Sequence, residues 1–211
     1  MNRTAVCLFA VVVLGFVGVC RAEEEPKVLA KGDWSKPAGD NLGGQIRGRL
    51  LLVEEPHSDK YREVAVFVEL QDARGNVGST MHIFCDFSKN DFRPEYKGGL
   101  QCKVRDKDGN VKKIEPFPFS GAVPRSEWIV LPSKASIRLR SSPFGVAREN
   151  GLAIAPDLGA LWFIDDDDPN EYFLSGTFTG NPPADKVPTG AARVWRGTLE
   201  LPPVKITGKL K

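Results

Sequence analysis

Alternation of apolar and polar residues constrains the fold of this chain more than any other feature of its sequence. The run "YFLSGTFTG" (172–180) places every second residue on one side, and "VAVFVELQD" (64–72) and "LQCKVRD" (100–106) follow the same rule. A period of two residues is typical of β-strands, and the helical period is almost absent. About ten such runs, separated by turn signals, predict an all-β protein, with a two-sheet antiparallel sandwich as the expected architecture.

The predicted strands cover most of the chain beyond residue 45. They are 46–54, 64–72, 80–87, 100–106, 111–117, 127–132, 136–142, 160–164, 172–180 and 193–206. The stretch 143–158 is less regular, and one short helical turn is expected there. The loops expected to contact partners, because a rigid scaffold usually recognises partners through its loops, are 54–63, 88–99, 118–126, 143–158 and 181–192.

The first 22 residues have the order of a secretory signal peptide. Arg3 supplies a positive charge, Ala5–Val19 form an apolar run, and cleavage is expected after Ala22. The apolar run is shorter than the roughly 20 residues that cross a membrane, which argues against a transmembrane anchor. A lipid on Cys20 is the alternative to cleavage. We therefore predict an exported protein with a signal peptide at 1–22, an extended N-terminal lead-in at 23–45 and a single domain at 46–211.

Removal of the signal leaves a formally neutral chain. Of the 29 lysines and arginines, Arg3 and Arg21 lie in the signal, so 27 remain against 27 acidic residues. A nucleic-acid-binding domain requires a basic patch, so we expect no nucleic-acid partner. No transmembrane segment is expected in the mature chain, and the sequence leaves its oligomeric state open.

Two cysteines, Cys85 and Cys102, remain after the signal is removed. If 80–87 and 100–106 form an antiparallel hairpin, placing Cys85 opposite Cys102 also brings two further apolar pairs into register on the same side. Disulfides form in exported proteins, so the sequence predicts a structural Cys85–Cys102 bond that contributes about 3 kcal/mol. The alternative is a pair of small buried thiols.

The stretch "FIDDDDPNEY" (163–172) comes closest to a chemical motif. Calcium requires about six to eight oxygen ligands that converge on one point. The side chains available here are those of Asp165, Asp166, Asp167, Asp168, Asn170 and Glu171. The order lacks the glycine of a calcium-binding loop and Pro169 interrupts it, so a solvated turn is the favoured interpretation. The second acidic stretch, "RDKDGNV" (105–111), contains Asp-Gly and predicts a hairpin turn.

Residues suited to catalysis are few. The two histidines, His57 and His82, have no second ligand at a workable spacing, and the sequence has no nucleophile motif. We therefore expect no catalytic residue, no metal site and no cofactor. Trp128, Trp162 and Trp195 each lie within an apolar run, which favours packing over an exposed sugar-binding row. Trp195, close to two arginines, is the one most expected at the surface.

Several segments in order resemble a known architecture. "GGQIRGRLLL" and "VAVFVELQD" are followed by the "VRDKDGNVKK" hairpin, by "WIVLPSKASIRLR" and by the closing "YFLSGTFTG" and "VWRGTLELPPVKI". This order is similar to exported bacterial immunoglobulin-like β-sandwich domains of unassigned function and, more loosely, to proteinase-inhibitor sandwiches. The resemblance implies an immunoglobulin-like sandwich over residues 46–206.

These features favour a non-enzymatic, exported protein-interaction or accessory module of the periplasm or cell envelope. An unidentified protein is the expected partner. A calcium- or carbohydrate-binding module and a proteinase inhibitor are the alternatives, because a sandwich fold does not by itself specify a function.

Overall fold

The computed structural model describes residues 26–40, 44–58, 61–74, 80–85, 99–116, 127–141, 146–148, 150–157, 160–182 and 184–208. The predicted signal peptide and the predicted contact loop at 118–126 lie outside the described residues. Of the predicted contact loop 88–99, only residue 99 is described. Within the described ranges, no helix is long and apolar enough to cross a membrane.

Thirteen strands are present in the described part of the chain. They are β1 (Lys27–Lys31), β2 (Ile46–Ser58), β3 (Tyr61–Asp72), β4 (Met81–Cys85), β5 (Gly99–Asp106), β6 (Glu115–Pro116), β7 (Glu127–Leu131), β8 (Ser136–Arg140), β9 (Val146–Arg148), β10 (Leu152–Asp157), β11 (Ala160–Ile164), β12 (Tyr172–Gly180) and β13 (Gly197–Ile206). A short 3-10 turn at Ala184–Lys186 is the one helical element in these ranges. The prediction of an all-β fold is confirmed.

The strands pair in antiparallel fashion, as predicted, but the described residues form several small sheets rather than two large ones. The largest sheet has the order β1-β2-β3-β8, and β9 also pairs with β3. Two three-stranded sheets have the orders β10-β11-β6 and β13-β12-β5, and β4 pairs with β7.

One hydrophobic cluster joins these sheets. Every second residue of β12, from Tyr172 to Gly180, is buried, because one side of a strand faces the interior while the other faces out. Gly48 of β2 lies against Leu199 and Leu201 of β13, where an added Cβ would come within 2.7 and 3.0 Å of their Cδ2 atoms. The small residue at this position lets β13 approach β2 closely.

Two segments predicted to be irregular are strands. The segment 54–63 belongs to the β2–β3 hairpin, since β2 continues to Ser58 and β3 begins at Tyr61. Pro56 does not end β2, because the register shifts between Glu55 and Ser58 and such an irregularity tolerates a residue without an N–H donor. The segment 143–158 contains β9 and β10, and its described residues, 146–148 and 150–157, include no helical turn.

The predicted lead-in follows the edge of the largest sheet. β1 pairs with β2 from Lys27 opposite Glu54 to Lys31 opposite Leu51. Beyond β1, three further N–H groups donate to carbonyl oxygens of β2, in the pairs Gly32 to Leu50, Ser35 to Gly48 and Ala38 to Ile46. This path carries Trp34 along the edge of the sheet.

The predicted hairpin that would place Cys85 opposite Cys102 is wrong. β4 pairs with β7, so Cys85 lies opposite Glu127, whereas β5 pairs with β12, so Cys102 lies opposite Gly176. No disulfide joins Cys85 and Cys102 in this structure. Cys85 is buried in the hydrophobic cluster and Cys102 packs against it.

Candidate functional site

The stretch "FIDDDDPNEY" forms a turn between β11 and β12. The N–H of Asp168 donates to the carbonyl oxygen of Asp165 (3.1 Å), and Asp166 and Asp167 occupy the turn with exposed side chains. The predicted turn is confirmed. Among the described residues, no three His, Cys, Asp or Glu side chains are grouped so that they could hold a metal ion.

Asp168 stabilises the end of this turn. Its Oδ1 accepts hydrogen bonds from the N–H (3.0 Å) and the Nδ2 (2.9 Å) of Asn170, and its Oδ2 accepts one from the Tyr172 hydroxyl (2.8 Å). The N–H of Asn170 lowers the pKa of Asp168 and outweighs partial burial, which raises it; Tyr172 and the charge of Lys112 lower it further. The carboxylate is therefore engaged in holding the turn.

The second acidic stretch forms the predicted hairpin turn. The N–H of Asp106 donates to the carbonyl oxygen of Asn110 (3.0 Å), and Asp106 Oδ1 accepts from the N–H groups of Asp108 and Asn110, both at 2.9 Å. Gly109 has a φ of 88°, which glycine adopts without strain. Because Asp106 lies opposite Tyr172 in the β5–β12 pair, both acidic turns lie at the same end of this sheet.

We expect Asp168→Ala to lower the free energy of unfolding by about 1 kcal/mol at neutral pH, since it removes three hydrogen bonds at a partly exposed site. The folded state lowers the pKa of Asp168. Its stabilising effect is therefore present above the pKa of the unfolded chain and is lost as the pH falls through the lower folded value. Urea denaturation at several pH values should show a difference from wild type that shrinks in acid.

Asp167→Ala is the matched control, because Asp167 is exposed in the same turn. It should cause little loss of stability, or a slight gain, since it removes one of several like charges. Equal losses in the two variants would contradict a specific structural role for Asp168.

The four tryptophans divide into two buried and two partly exposed residues. Trp162 and Trp195 are fully buried, so the expectation that Trp195 lies at the surface is wrong. The Nε1 of Trp195 donates to the carbonyl oxygen of Ala38 (2.9 Å). Trp34 and Trp128 are half-buried and are the tryptophans that solvent reaches.

His82 lies in the interior of β4. Its N–H donates to the carbonyl oxygen of Arg193 and its own carbonyl oxygen accepts from the N–H of Trp195, both at 2.9 Å. The Nδ1 atom is buried without a hydrogen-bond partner among the described residues, and Trp128 packs edge-on with ring centroids 6.4 Å apart. A metal site needs three or four ligands, and a single imidazole does not supply them.

A row of charged side chains crosses the outer side of the largest sheet, facing away from the hydrophobic cluster. Arg49 of β2, Glu69 of β3 and Arg138 of β8 lie opposite one another in register. Arg49 Nε and Nη2 both lie 2.5 Å from Glu69 Oε2, and Arg138 Nε lies 3.3 Å from Glu69 Oε1. The carboxylate thus joins two guanidinium groups that come from different strands.

Trp34 and Arg47 extend this row toward the sheet edge. The guanidinium carbons of Arg49 and Arg47 lie 4.1 and 4.9 Å from the ring centre of Trp34, at distances where cation–π attraction stabilises the contact. Arg47 Nε and Nη2 also donate to Gln71 Oε1, at 2.8 and 2.6 Å. We refer to the surface formed by Trp34, Arg47, Arg49, Glu69, Gln71 and Arg138 as the arginine face.

Glu69 is ionised although its side chain is almost completely buried. Burial is the largest single influence and raises its pKa, but the hydrogen bonds and charges of Arg49 and Arg138 together outweigh it, so the pKa is lowered. The side chain of Glu69 is 6% exposed, whereas that of Arg138 is 55% exposed. Glu69 therefore lies at the buried base of the row and holds the two arginines, whereas Arg138 is exposed to solvent.

The arginine face was not predicted from the sequence. The signal available was the spacing of Arg47 and Arg49 on the polar side of a strand, repeated by "SIRLR" around Arg138. Two strands with arginine at every second residue indicate a basic sheet surface, but only the strand order places them beside Glu69 and Trp34. Known proteins add no further candidate residue: no protein-family model, no curated protein and no solved structure matches this chain.

Proposed function

We propose that this chain is an exported, non-enzymatic binding module that recognises its partner with the arginine face. The observation that carries the proposal is the alignment of Arg49, Glu69 and Arg138 across three strands, bonded to one another at 2.5 and 3.3 Å. Side chains that are held in place before a ligand arrives lose little conformational entropy on binding.

The chemistry of the face supports binding rather than proton transfer. Glu69 is held ionised by Arg49 and Arg138, so at neutral pH it carries no proton that a general acid could donate. Its two oxygens already accept from the two guanidinium groups. Arginine stays protonated in proteins and presents N–H donors in a fixed fork, which suits recognition of anions.

We propose an immunoglobulin-like sandwich as the architecture and the envelope or periplasm of a bacterium as the location. The sandwich is supported by the buried sides of β2 and β12, which contribute to the same hydrophobic cluster. Export is supported by the order of Arg3, the apolar run Ala5–Val19 and Ala22. Mass spectrometry of the protein from fractionated cells tests this. Cleavage gives a chain that begins at Glu23, a lipoprotein begins at modified Cys20, and an unprocessed cytosolic chain contradicts export.

Site-specific photo-crosslinking in the producing cells tests the binding face. A photoreactive phenylalanine analogue placed at Arg138, on the arginine face, should yield a covalent adduct of higher mass in the exported fraction. The matched control is the same analogue at Lys103, which is exposed on the outer side of a different sheet.

An adduct at position 138 and none at position 103 supports recognition through the arginine face, whatever the chemical nature of the partner. Adducts of equal yield at both positions, or an adduct at position 103 alone, would overturn the assignment of the face. Because the analogue at position 138 removes the arginine itself, a second placement at the exposed Ser136, opposite Gln71, keeps Arg138 in place, and the absence of any adduct at both positions would overturn the assignment as well.

A further inference from the structure

We infer that the arginine face binds an acidic polysaccharide, a chain of sugar rings that carry carboxylate or sulfate groups. This inference rests on the proposed function and names the chemical class of the partner. The sequence alone favours a protein partner, but the side chains that the structure brings together on this face are better matched to charged sugars.

Charge is the first reason. The three arginines of the face outnumber its single carboxylate, Glu69, so the face has a formal charge of +2 on a mature chain that is neutral as a whole. The neighbouring Asp33 and Lys36 are exposed and cancel each other in sign. A polyanion is attracted to this surface, because an exposed charge acts over a Debye length of about 8 Å at physiological ionic strength.

The unused donors of the arginines are the second reason. A guanidinium group has five N–H donors in a planar fork. Among the described residues, Arg47 directs two of its nitrogens to Gln71, and Arg138 directs one to Glu69. The remaining N–H groups can form bidentate hydrogen bonds with carboxylate or sulfate oxygens, while Gln71 and Glu69 hold the guanidinium groups in position.

Trp34 is the third reason, and it distinguishes a sugar from an acidic peptide. Its indole is half-buried and lies 4.1 and 4.9 Å from the two guanidinium carbons of β2. A sugar ring with an acidic group has an apolar C–H surface and an anion on the same unit. The two guanidinium groups lie over the Trp34 ring, so the aromatic surface that remains accessible and the fixed cations are close enough to contact both parts of such a unit.

The spacing of the arginines is the fourth reason. Arg49 and Arg138 lie in register on strands that are separated by one strand, β3. Adjacent strands are about 4.8 Å apart, so the backbones at these two positions are about 10 Å apart. The guanidinium groups lie closer together than the backbones, because both contact the Glu69 carboxylate, at 2.5 and 3.3 Å, so the pair presents its positive charge to one acidic group of a polysaccharide that crosses the sheet.

The test is binding of the exported full chain to four immobilised polymers, measured by biolayer interferometry. Alginate carries carboxylates on sugar rings, dextran sulfate carries sulfates on sugar rings, dextran is neutral, and poly-L-glutamate carries carboxylates without sugars. We expect binding to alginate, dextran sulfate or both, with weakening at high salt and no binding to dextran. Which of the two acidic polymers binds more tightly identifies the acidic group.

Variants assign this binding to the face. Arg138→Gln and Trp34→Leu should each weaken binding about fivefold, as expected for the loss of one partly exposed charge or aromatic contact. Trp34→Phe keeps an aromatic ring and should retain most of the affinity, which makes the test informative even if Trp34→Leu folds poorly. Lys103→Gln removes one positive charge from another sheet surface and should leave binding unchanged.

Each other outcome overturns the inference. Equal binding of dextran shows that charge is not recognised, and equal weakening by Lys103→Gln shows that only overall charge matters. Equal binding of poly-L-glutamate, with no effect of Trp34→Leu, assigns the face to an acidic polypeptide. A crosslinked protein at position 138 together with no polysaccharide binding overturns this inference but leaves the proposed binding function standing.

Discussion

Replacement of Trp195 by alanine is expected to lower the free energy of unfolding by about 4 kcal/mol, the usual loss for a fully buried tryptophan. Trp195 is completely buried, and its ring stacks on Phe178 with centroids 5.7 Å apart and an angle of 16° between the planes. Its Nε1 donates to the carbonyl oxygen of Ala38. Alanine removes both contacts and leaves the carbonyl oxygen of Ala38 without this donor.

The surroundings of Trp195 explain why the cavity would not close easily. An added Cβ at Gly180 would lie 2.5 Å from Trp195 Cζ3, and one at Gly39 would lie 2.7 Å from its Nε1. The indole is therefore bordered by residues without side chains, which cannot move into the space that alanine vacates. The main chain of Trp195 also bonds to His82 of β4, so the site connects the lead-in, β4 and β12.

Urea denaturation followed by circular dichroism measures this loss. Trp195→Phe keeps an aromatic ring against Phe178 but loses the hydrogen bond to Ala38, so it should lie between wild type and Trp195→Ala. Val130→Ala is the surface control, because Val130 is 48% exposed and should change stability by less than about 0.5 kcal/mol. A loss in Trp195→Ala similar to that in Val130→Ala would contradict the central packing role of the indole.

The alternation of residues predicted individual strands well, because each strand has one buried side. Tyr172–Gly180 was predicted with the bounds that the structure gives, since every second residue contacts the same cluster. Partner strands could not be predicted in this way. Any two strands with a side facing the same core can be aligned so that apolar residues lie opposite each other. Val104 lies opposite Leu174 in the β5–β12 pair, and in the predicted hairpin it would also have had an apolar partner, in β4. The error over the cysteines has this origin.

The candidate site could be predicted only in part from the sequence, because the partner of each strand could not be predicted. The arginines of β2 and β8 could be assigned to the polar side of their strands, but their alignment through Glu69 depends on the order β2-β3-β8. The sequence predicted that Trp34 of the lead-in docks onto the domain, but its contact with Arg47 and Arg49 depends on the irregular segment beyond β1, which has no periodic pattern. Local spacing therefore predicts which side a residue faces, and strand order decides which residues it meets.

The environment of Arg193 shows how a distant partner reverses a local expectation. Arg193 Nη1 lies 3.0 Å from Asp72 Oδ2 and Nη2 lies 3.4 Å from Oδ1, although the two residues are 121 positions apart. The side chains are 10% and 0% exposed. The arginines close to Trp195 in the sequence suggested a surface position for Trp195. Arg193 is instead mostly buried, and its guanidinium group pairs with a buried carboxylate.

We expect Arg193→Met to lower the free energy of unfolding by about 3 kcal/mol, because it removes the guanidinium group that pairs with the buried Asp72 carboxylate. Methionine retains much of the side-chain volume, so the loss reports mainly on charge. Asp72 still accepts a hydrogen bond from the N–H of Arg74 (3.1 Å), which does not replace a full positive charge. The double variant Asp72→Asn/Arg193→Met has no buried charge at this position and should be more stable than Arg193→Met alone.

The pH dependence separates a loss of charge pairing from a loss of packing. In Arg193→Met, the Asp72 carboxylate stays buried after the charge of Arg193 is removed, and this costs free energy only while the carboxyl group is ionised. The variant should therefore approach wild type in acid, where carboxyl groups are protonated. The double variant has no carboxylate at position 72 and should not show this recovery. A loss that is the same at neutral and acid pH in both variants would mean that the site depends on the shape of Arg193 and not on its charge.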